Sequence, residues 1–104
     1  MPGQFGFKIV NATITGGTAR FVLTPSTYTR TAMIGLRSAA VGTSFTVTDT
    51  NGGGGTAEIA KGVTLNLQIS GQGDATEGAA FDLSALAFGG TNGDVLFCLY
   101  EARL

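Results

Sequence analysis

The stretch FDLSALAFGGTNGDVLFCLYEA, residues 81–102, decides the fold. It reads as strand, turn, strand, with Gly89, Gly90 and Gly93 around Thr91 and Asn92 supplying a corner where positive φ is needed. Its last run is apolar on both faces. Side chains alternate along a strand, so Val95, Phe97 and Leu99 point one way and Leu96, Cys98 and Tyr100 the other. A chain of 104 residues builds one core, so the second face needs a cover. The expectation is that Val95, Phe97 and Leu99 complete the chain's own core. Leu96, Cys98 and Tyr100 then form an oligomer interface closed by a symmetry mate. The competing arrangement lays a loop of the same chain, such as PSTYTRTAM (residues 25–33), over that face.

Working outward, segments rich in Val, Ile, Phe, Leu and Thr recur at short intervals, broken by Gly, Pro and Asn. FKIVNATI (7–14), ARFVLT (19–24), TAMIGLRS (31–38), TSFTVTDT (43–50), GVTLNLQI (62–69), DLSALAF (82–88) and DVLFCLYEA (94–102) are the strand candidates. Runs at this spacing predict an all-β, single-domain antiparallel β-sandwich over residues 1–104, jelly-roll-like, with seven to eight strands. No segment sustains helical periodicity between caps, so helix is expected to be close to nil. The alternation is cleanest in VTLNLQIS, where Val63, Leu65, Leu67 and Ile69 share the core face. Phe45 and Val47, Phe21 and Leu23, and Ile34 and Leu36 are expected inside, with Gly35 and Arg37 outside. DTNGGGGT (49–56) is expected as a flexible loop whose four glycines are costly to order.

Only 12% of residues are charged and 43% are hydrophobic, whereas about a quarter are charged in typical soluble domains. Such a composition favours a subunit that hides surface in an assembly. A net charge of −1 leaves no basic footprint for nucleic acid. Polarity along the chain is uneven, because Lys8, Arg20, Arg30 and Arg37 all precede the first acid, Asp49. Strands from both halves interleaving in space would erase this asymmetry; otherwise one side of the molecule is basic and meets an acidic partner. Arg30 and Arg37 flank an apolar strand, either as a solvated edge or as rim contacts on a partner. The opening MPGQFGFKIV has neither the basic start nor the apolar run of a signal peptide, and no stretch is long enough to span a membrane. The expectation is a product made in a reducing compartment, where the lone Cys98 is a small buried hydrophobe.

Enzyme chemistry fails on inventory. Without His, the usual general base and the usual metal ligand are both missing, and neither a Ser–His nor a Cys–His pair can be assembled. Asp49, Asp74, Glu77 and Asp94 sit in turn-like contexts where carboxylates tether backbone. NGGGGTAEIAKG lacks the Gly-Lys-Ser/Thr end of a phosphate loop, and GQGDATEG has the wrong spacing for a dinucleotide fingerprint. Asp49, Asn51 and Glu58 imitate a calcium loop, but Glu58 is only tenth counting from Asp49 where a twelfth-position acid is required. No catalytic residue, cofactor or metal is therefore expected. Tyr28 is the one loop aromatic with a polar handle.

The order MIGLRS, KGVTLNLQIS and FDLSALAFGGTNGDVLFCLYEA resembles small β-sandwich proteins that decorate the capsids of tailed bacteriophages. The resemblance is carried by Gly62, Leu65 and Leu67, by Asp82, Leu83, Ser84 and Leu86, by Gly90, Thr91, Gly93 and Asp94, and by Tyr100 and Glu101. It covers roughly the last half of the chain and carries no catalytic signature. It implies a cement protein, made in the host cytoplasm, on the outer surface of the virion. Its partners would be the major capsid protein and copies of itself, a homotrimer being favoured, with no nucleic acid and no membrane. Tyr28, Arg30 and Arg37 would be the capsid contacts. The second expectation is a β-sandwich module of a tail or fibre that binds a host-surface glycan or protein, with Tyr28 at its centre.

Overall fold

The computed structural model describes residues 5–23, 27–51, 53–68 and 80–103. Expectations for Ile69, Asp74 and Glu77 fall outside them. The described residues form ten strands: β1 (Phe5–Thr13), β2 (Thr18–Ala19), β3 (Tyr28–Thr29), β4 (Thr31–Leu36), β5 (Ser44–Asp49), β6 (Thr56–Ala60), β7 (Leu65–Gln68), β8 (Phe81–Asp82), β9 (Leu86–Gly89) and β10 (Val95–Arg103). Eight of them make two four-stranded antiparallel sheets. The first has the order β1-β10-β4-β7 and the second β2-β9-β5-β6, while β3 and β8 form a two-residue ribbon.

The ribbon aside, the first strand pairs with the last, the second with the second-last, the third with the sixth and the fourth with the fifth. Two further pairings, β10 with β4 and β9 with β5, close the sheets. A long hairpin folded back on itself in this nested way is a jelly roll, a sandwich built from two Greek keys. The all-β sandwich expected from the strand spacing is what forms.

Between the sheets lie Ile14, Phe21, Leu23, Ile34, Leu36, Phe45, Val47, Leu83, Phe88, Leu96, Cys98 and Tyr100. Phe21 meets Phe88 edge to face, with ring centroids 5.2 Å apart. The inward expectations for Phe21, Leu23, Ile34, Leu36, Phe45 and Val47 all hold. Leu65 and Leu67 pack against this core, whereas Val63 precedes β7 and is exposed.

Three local features depart from the strand candidates. Thr56–Ala60 is a strand although it reads as loop, because it is held through its partner rather than its own apolar pattern. Ser44 Oγ donates to Glu58 Oε2 at 2.7 Å, and the hydroxyls of Thr48 and Thr56 lie 3.0 Å apart. In ARFVLT the ladder stops at Ala19, and Phe21 and Leu23 reach the core from irregular backbone. DLSALAF is broken by a 3₁₀ turn, Leu83–Ala85, which drives Leu83 fully inside. Asp82 caps that turn, accepting from the Ser84 amide at 3.0 Å and its hydroxyl at 2.7 Å. Hydrogen bonds from the Ser84 hydroxyl, the Thr27 hydroxyl and the Ser84 N–H hold the Asp82 carboxyl below its ordinary range against a smaller opposing desolvation.

The interior of the first sheet contains the even-numbered side chains of β10. Leu96→Ala is therefore expected to cost about 2–5 kcal/mol, as for a fully buried leucine, and Leu99→Ala less than about 1.5 kcal/mol. Urea unfolding midpoints of the two variants check this; equal losses would mean that the two faces are wrongly assigned.

Candidate interaction face

The last strand points the opposite way from the sequence expectation. Leu96, Cys98 and Tyr100 are 0%, 0% and 4% exposed, buried beneath the second sheet of their own chain, so they are no oligomer interface. Val95, Phe97 and Leu99 are the residues on the outer face. Periodicity could not settle the choice because both sets are apolar. Asp94 settles it. Its carboxylate accepts from the N–H of Val41 at 2.9 Å and of Gly42 at 2.8 Å, which satisfies the acid while it is only 5% exposed. With Asp94 turned inward, residues 96, 98, 100 and 102 follow it.

The outer face of the first sheet follows from the register. Phe7 lies opposite Glu101, Ile9 opposite Leu99 and Asn11 opposite Phe97 on β1 and β10. On the other side of β10, Leu99 lies opposite Met33 and Phe97 opposite Gly35, and Met33 in turn faces Asn66 of β7. A Cβ at Gly35 would sit 2.7 Å from Cζ of Phe97, so glycine is what lets that ring lie flat across β4. The result is an apolar centre of Phe7, Ile9, Phe97, Leu99 and Met33 with Asn11, Asn66, Gln68 and Glu101 around it. An apolar patch with a polar surround is the anatomy of a protein contact surface. Phe7, Ile9 and Met33 are 65%, 69% and 38% exposed. Together they bare on the order of 300 Å² of apolar side chain, the scale at which a patch marks an interaction site.

The second sheet shows water a different surface. The outward residues of β5 are Ser44, Thr46 and Thr48, and they face Ala60, Glu58 and Thr56 of β6. Hydroxyls and a carboxylate cover one side of the sandwich; aliphatic and aromatic groups cover the other.

The residues expected to contact a capsid do not form one site. Tyr28 is 59% exposed on the β3–β8 ribbon. Arg30 Nε donates to Glu101 Oε1 at 2.7 Å. That hydrogen bond raises the guanidinium pKa further, with the Glu101 charge adding to it and desolvation opposing it. Arg30 is thus committed within its own chain. Arg37 is exposed at the other end of β4, where its backbone N–H meets the Val95 carbonyl. Six strand residues separate the two arginines, roughly 20 Å of extended chain.

An open apolar groove of about 380 Å³ runs between the sheets, lined by Val47, Ala57, Leu65, Leu67 and Leu86, with Asp49 at its lip. The Asp49 carboxylate accepts from the Asn51 N–H at 2.7 Å, an internal tether. Among the described residues no three His, Cys, Asp or Glu side chains come close enough to hold a metal ion, and no helix is long and apolar enough to cross a membrane.

No family model matches this chain, and no curated protein or solved structure matches it. The face is thus described by its chemistry alone. Sequence inspection did not single out Phe7, Ile9 and Met33. The available signal was that FKIV, like the last strand, is apolar at both parities, with Phe7 and Ile9 on one side and Val10 on the other.

Burial pushes the Cys98 thiol from near 9 up to about 12. Between those values the unfolded chain has lost the proton and the folded chain keeps it, so this group's contribution to stability falls as pH rises from about 9 to about 12. The loss of stability across this range should be smaller in Cys98→Ala than in the parent, measured by denaturant unfolding at each pH. In the native protein at neutral pH, Cys98 should resist thiol reagents until the chain unfolds.

Proposed function

We propose that this chain is a non-enzymatic structural protein that binds the outer surface of a tailed-phage capsid and stabilises the head, docking through the apolar outer face of the first sheet. The observation that carries this proposal is the inequality of the two outer faces, one hydroxyl-rich and one apolar. An apolar sheet face left in water forgoes about 25 cal/mol for each Å² it could bury, so its place in the molecule is explained by a partner. Two further features support the proposal. The C-terminal strands carry the resemblance to capsid-decorating sandwiches, and jelly rolls are frequent among viral shell proteins. Fold alone carries no function, and the same architecture serves lectins. Attachment would work by area and by repetition, with modest contacts multiplied over many identical sites on the shell.

Purified virions analysed by quantitative mass spectrometry should contain the protein in on the order of tens to hundreds of copies, the scale of a symmetric shell. Heads lacking it should assemble but release DNA at a lower temperature. Met33→Lys puts a charge at the centre of the apolar face without touching the core. It should lower head occupancy by about tenfold or more, equivalent to about 1.4 kcal/mol. Absence of the protein from particles would end the proposal.

The alternative, a glycan- or protein-binding module of a tail or fibre, is favoured by one observation, the exposed ring of Tyr28. A few copies per particle, and glycan binding that disappears in Tyr28→Ala, would select it.

A further inference from the structure

We infer that β1 is a self-association edge: it pairs antiparallel with the β1 of a second copy across a two-fold axis at Ile9, joining two four-stranded sheets into one of eight strands. The inference deepens the assembly proposal and rests on it for what the enlarged face docks onto, though not for the pairing itself. Among the described residues β1 is an outer strand of the first sheet, with β10 on its one paired side. Within the described residues, Phe5–Thr13 is far longer than the other sheet edges, Thr18–Ala19, Thr56–Ala60 and Leu65–Gln68. Long unpaired edges are ordinarily blunted by charge, proline or bulges. From Phe5 to Thr13 there is no proline, Lys8 is the only charge, and the pairing with β10 runs without a bulge.

The register follows from which backbone groups are free. Ile14 donates its N–H to the Asp94 carbonyl and accepts from the Gly93 N–H, so both its groups face the β10 side. In an antiparallel ladder this orientation repeats every second residue. Residues 8, 10 and 12 thus bond to β10, and the N–H and C=O of Phe7, Ile9, Asn11 and Thr13 point out from the edge. The β4 side of β10 agrees, since Val95 accepts there from Arg37. Two such edges related by a two-fold axis must match odd residues with odd residues. Ile9 opposite Ile9 uses the whole strand and sets Phe7 against Asn11. It also sets Lys8 against Val10, whereas a shift that places Lys8 opposite Lys8 brings like charges together.

A second copy is the occupant that the edge itself specifies. It offers the same run of free donors and acceptors in the complementary order, and it satisfies both chains at once. The apolar outward side chains among the bonded residues 7–13 are Phe7 and Ile9, which are 65% and 69% exposed. Pairing brings the two Ile9 side chains together and makes one apolar stripe from Met33 through Leu99 and Ile9 to the same residues of the second copy. A face of this kind approaches the roughly 800 Å² per partner of a stable contact, which one sheet alone does not reach. An edge pair closes after two copies, so the oligomer is a dimer and not the trimer implied by the resemblance.

The test is sedimentation equilibrium of the purified 104-residue chain, with no virion or capsid present, up to about 100 µM, a range that resolves dissociation constants from about 1 µM to about 100 µM. A monomer–dimer equilibrium is expected. Ile9→Lys keeps every backbone group and changes an exposed side chain, but places two charges at the two-fold axis, and should weaken dimerisation at least tenfold. Ile9→Pro removes an N–H that faces only the second copy and should do the same. Circular dichroism and thermal melts of both variants confirm that the monomer remains folded. In the parent, amide exchange of Ile9 and Asn11 should slow as protein concentration rises. Met33→Lys should leave the dimer intact while lowering head occupancy, so the pairing and the docking proposal fail separately. A monomer throughout, a trimer, or a dimer indifferent to folded Ile9→Lys would overturn the pairing.

Discussion

The arrangement depends on where the carboxylate of Asp94 is placed. Two backbone N–H groups, from Val41 and Gly42, end on its two oxygens. The same residue gives its carbonyl to Ile14 and its N–H to Thr91. One side chain and one peptide thereby tie the connection between β4 and β5 to the start of β10 and the end of β1. β10 is an inner strand, flanked by β1 and β4, so its phase is inherited by both neighbours. A slip of one residue would send every core side chain of β10 outward. Space around the anchor is tight as well: a Cβ at Gly42 would lie 2.6 Å from Thr91 Oγ1 and 2.9 Å from the Asp94 carboxylate. The acid is buried because its hydrogen bonds are complete, a condition that burial of any polar group must meet.

This explains what the sequence made legible and what it hid. Strand positions and the sandwich class could be read because turn residues punctuate the chain and because the apolar residues of TSFTVTDT alternate on one face. The inward set of Phe21, Leu23, Ile34, Leu36, Phe45 and Val47 followed from that alternation. The orientation of β10 did not, because its alternation compares one apolar set with another. Asp94, which decides it, reads as a surface turn residue until its two partners more than fifty positions earlier are brought beside it. β6 was hidden for a related reason: Ala57 and Ile59 supply little pattern, and the strand is held by the ladder and hydroxyl contacts made with β5. Arg30 looked like a free basic residue because Glu101, its partner, lies 71 positions away.

Correcting the phase moves the unexplained apolar surface rather than removing it. With Leu96, Cys98 and Tyr100 inside, the outward set of Phe97 and Leu99 becomes the centre of a patch that β1 extends through Phe7 and Ile9 and β4 through Met33. The scarcity of charge in the composition has the same origin. A domain that displayed both sheets to water would need both outer faces to look like that of β5 and β6, rich in hydroxyls and carrying Glu58. The first sheet carries that chemistry only at its margin. Low charge in the composition and the apolar outer face of the first sheet thus belong together: the structure places the apolar surface on one side of the molecule.

In the proposed assembly, face and edge would divide the work between two kinds of interaction. The face supplies apolar area, which is non-directional and sets strength without fixing orientation. The edge supplies hydrogen bonds, which are directional and fix register, but whose net worth is only about 0.5–1.5 kcal/mol each because water competes for the same groups. Neither is sufficient by itself for a small domain. An apolar patch near 300 Å² is too small to hold a partner in one pose, and a lone strand pair in water is marginal. Placed side by side on β1, they act on the same residues, since Phe7 and Ile9 present apolar side chains on the face and free peptide groups at the edge. A substitution on the face that leaves the backbone alone therefore separates strength from geometry, which is the property that distinguishes a built interface from an accidental exposure of core-like residues.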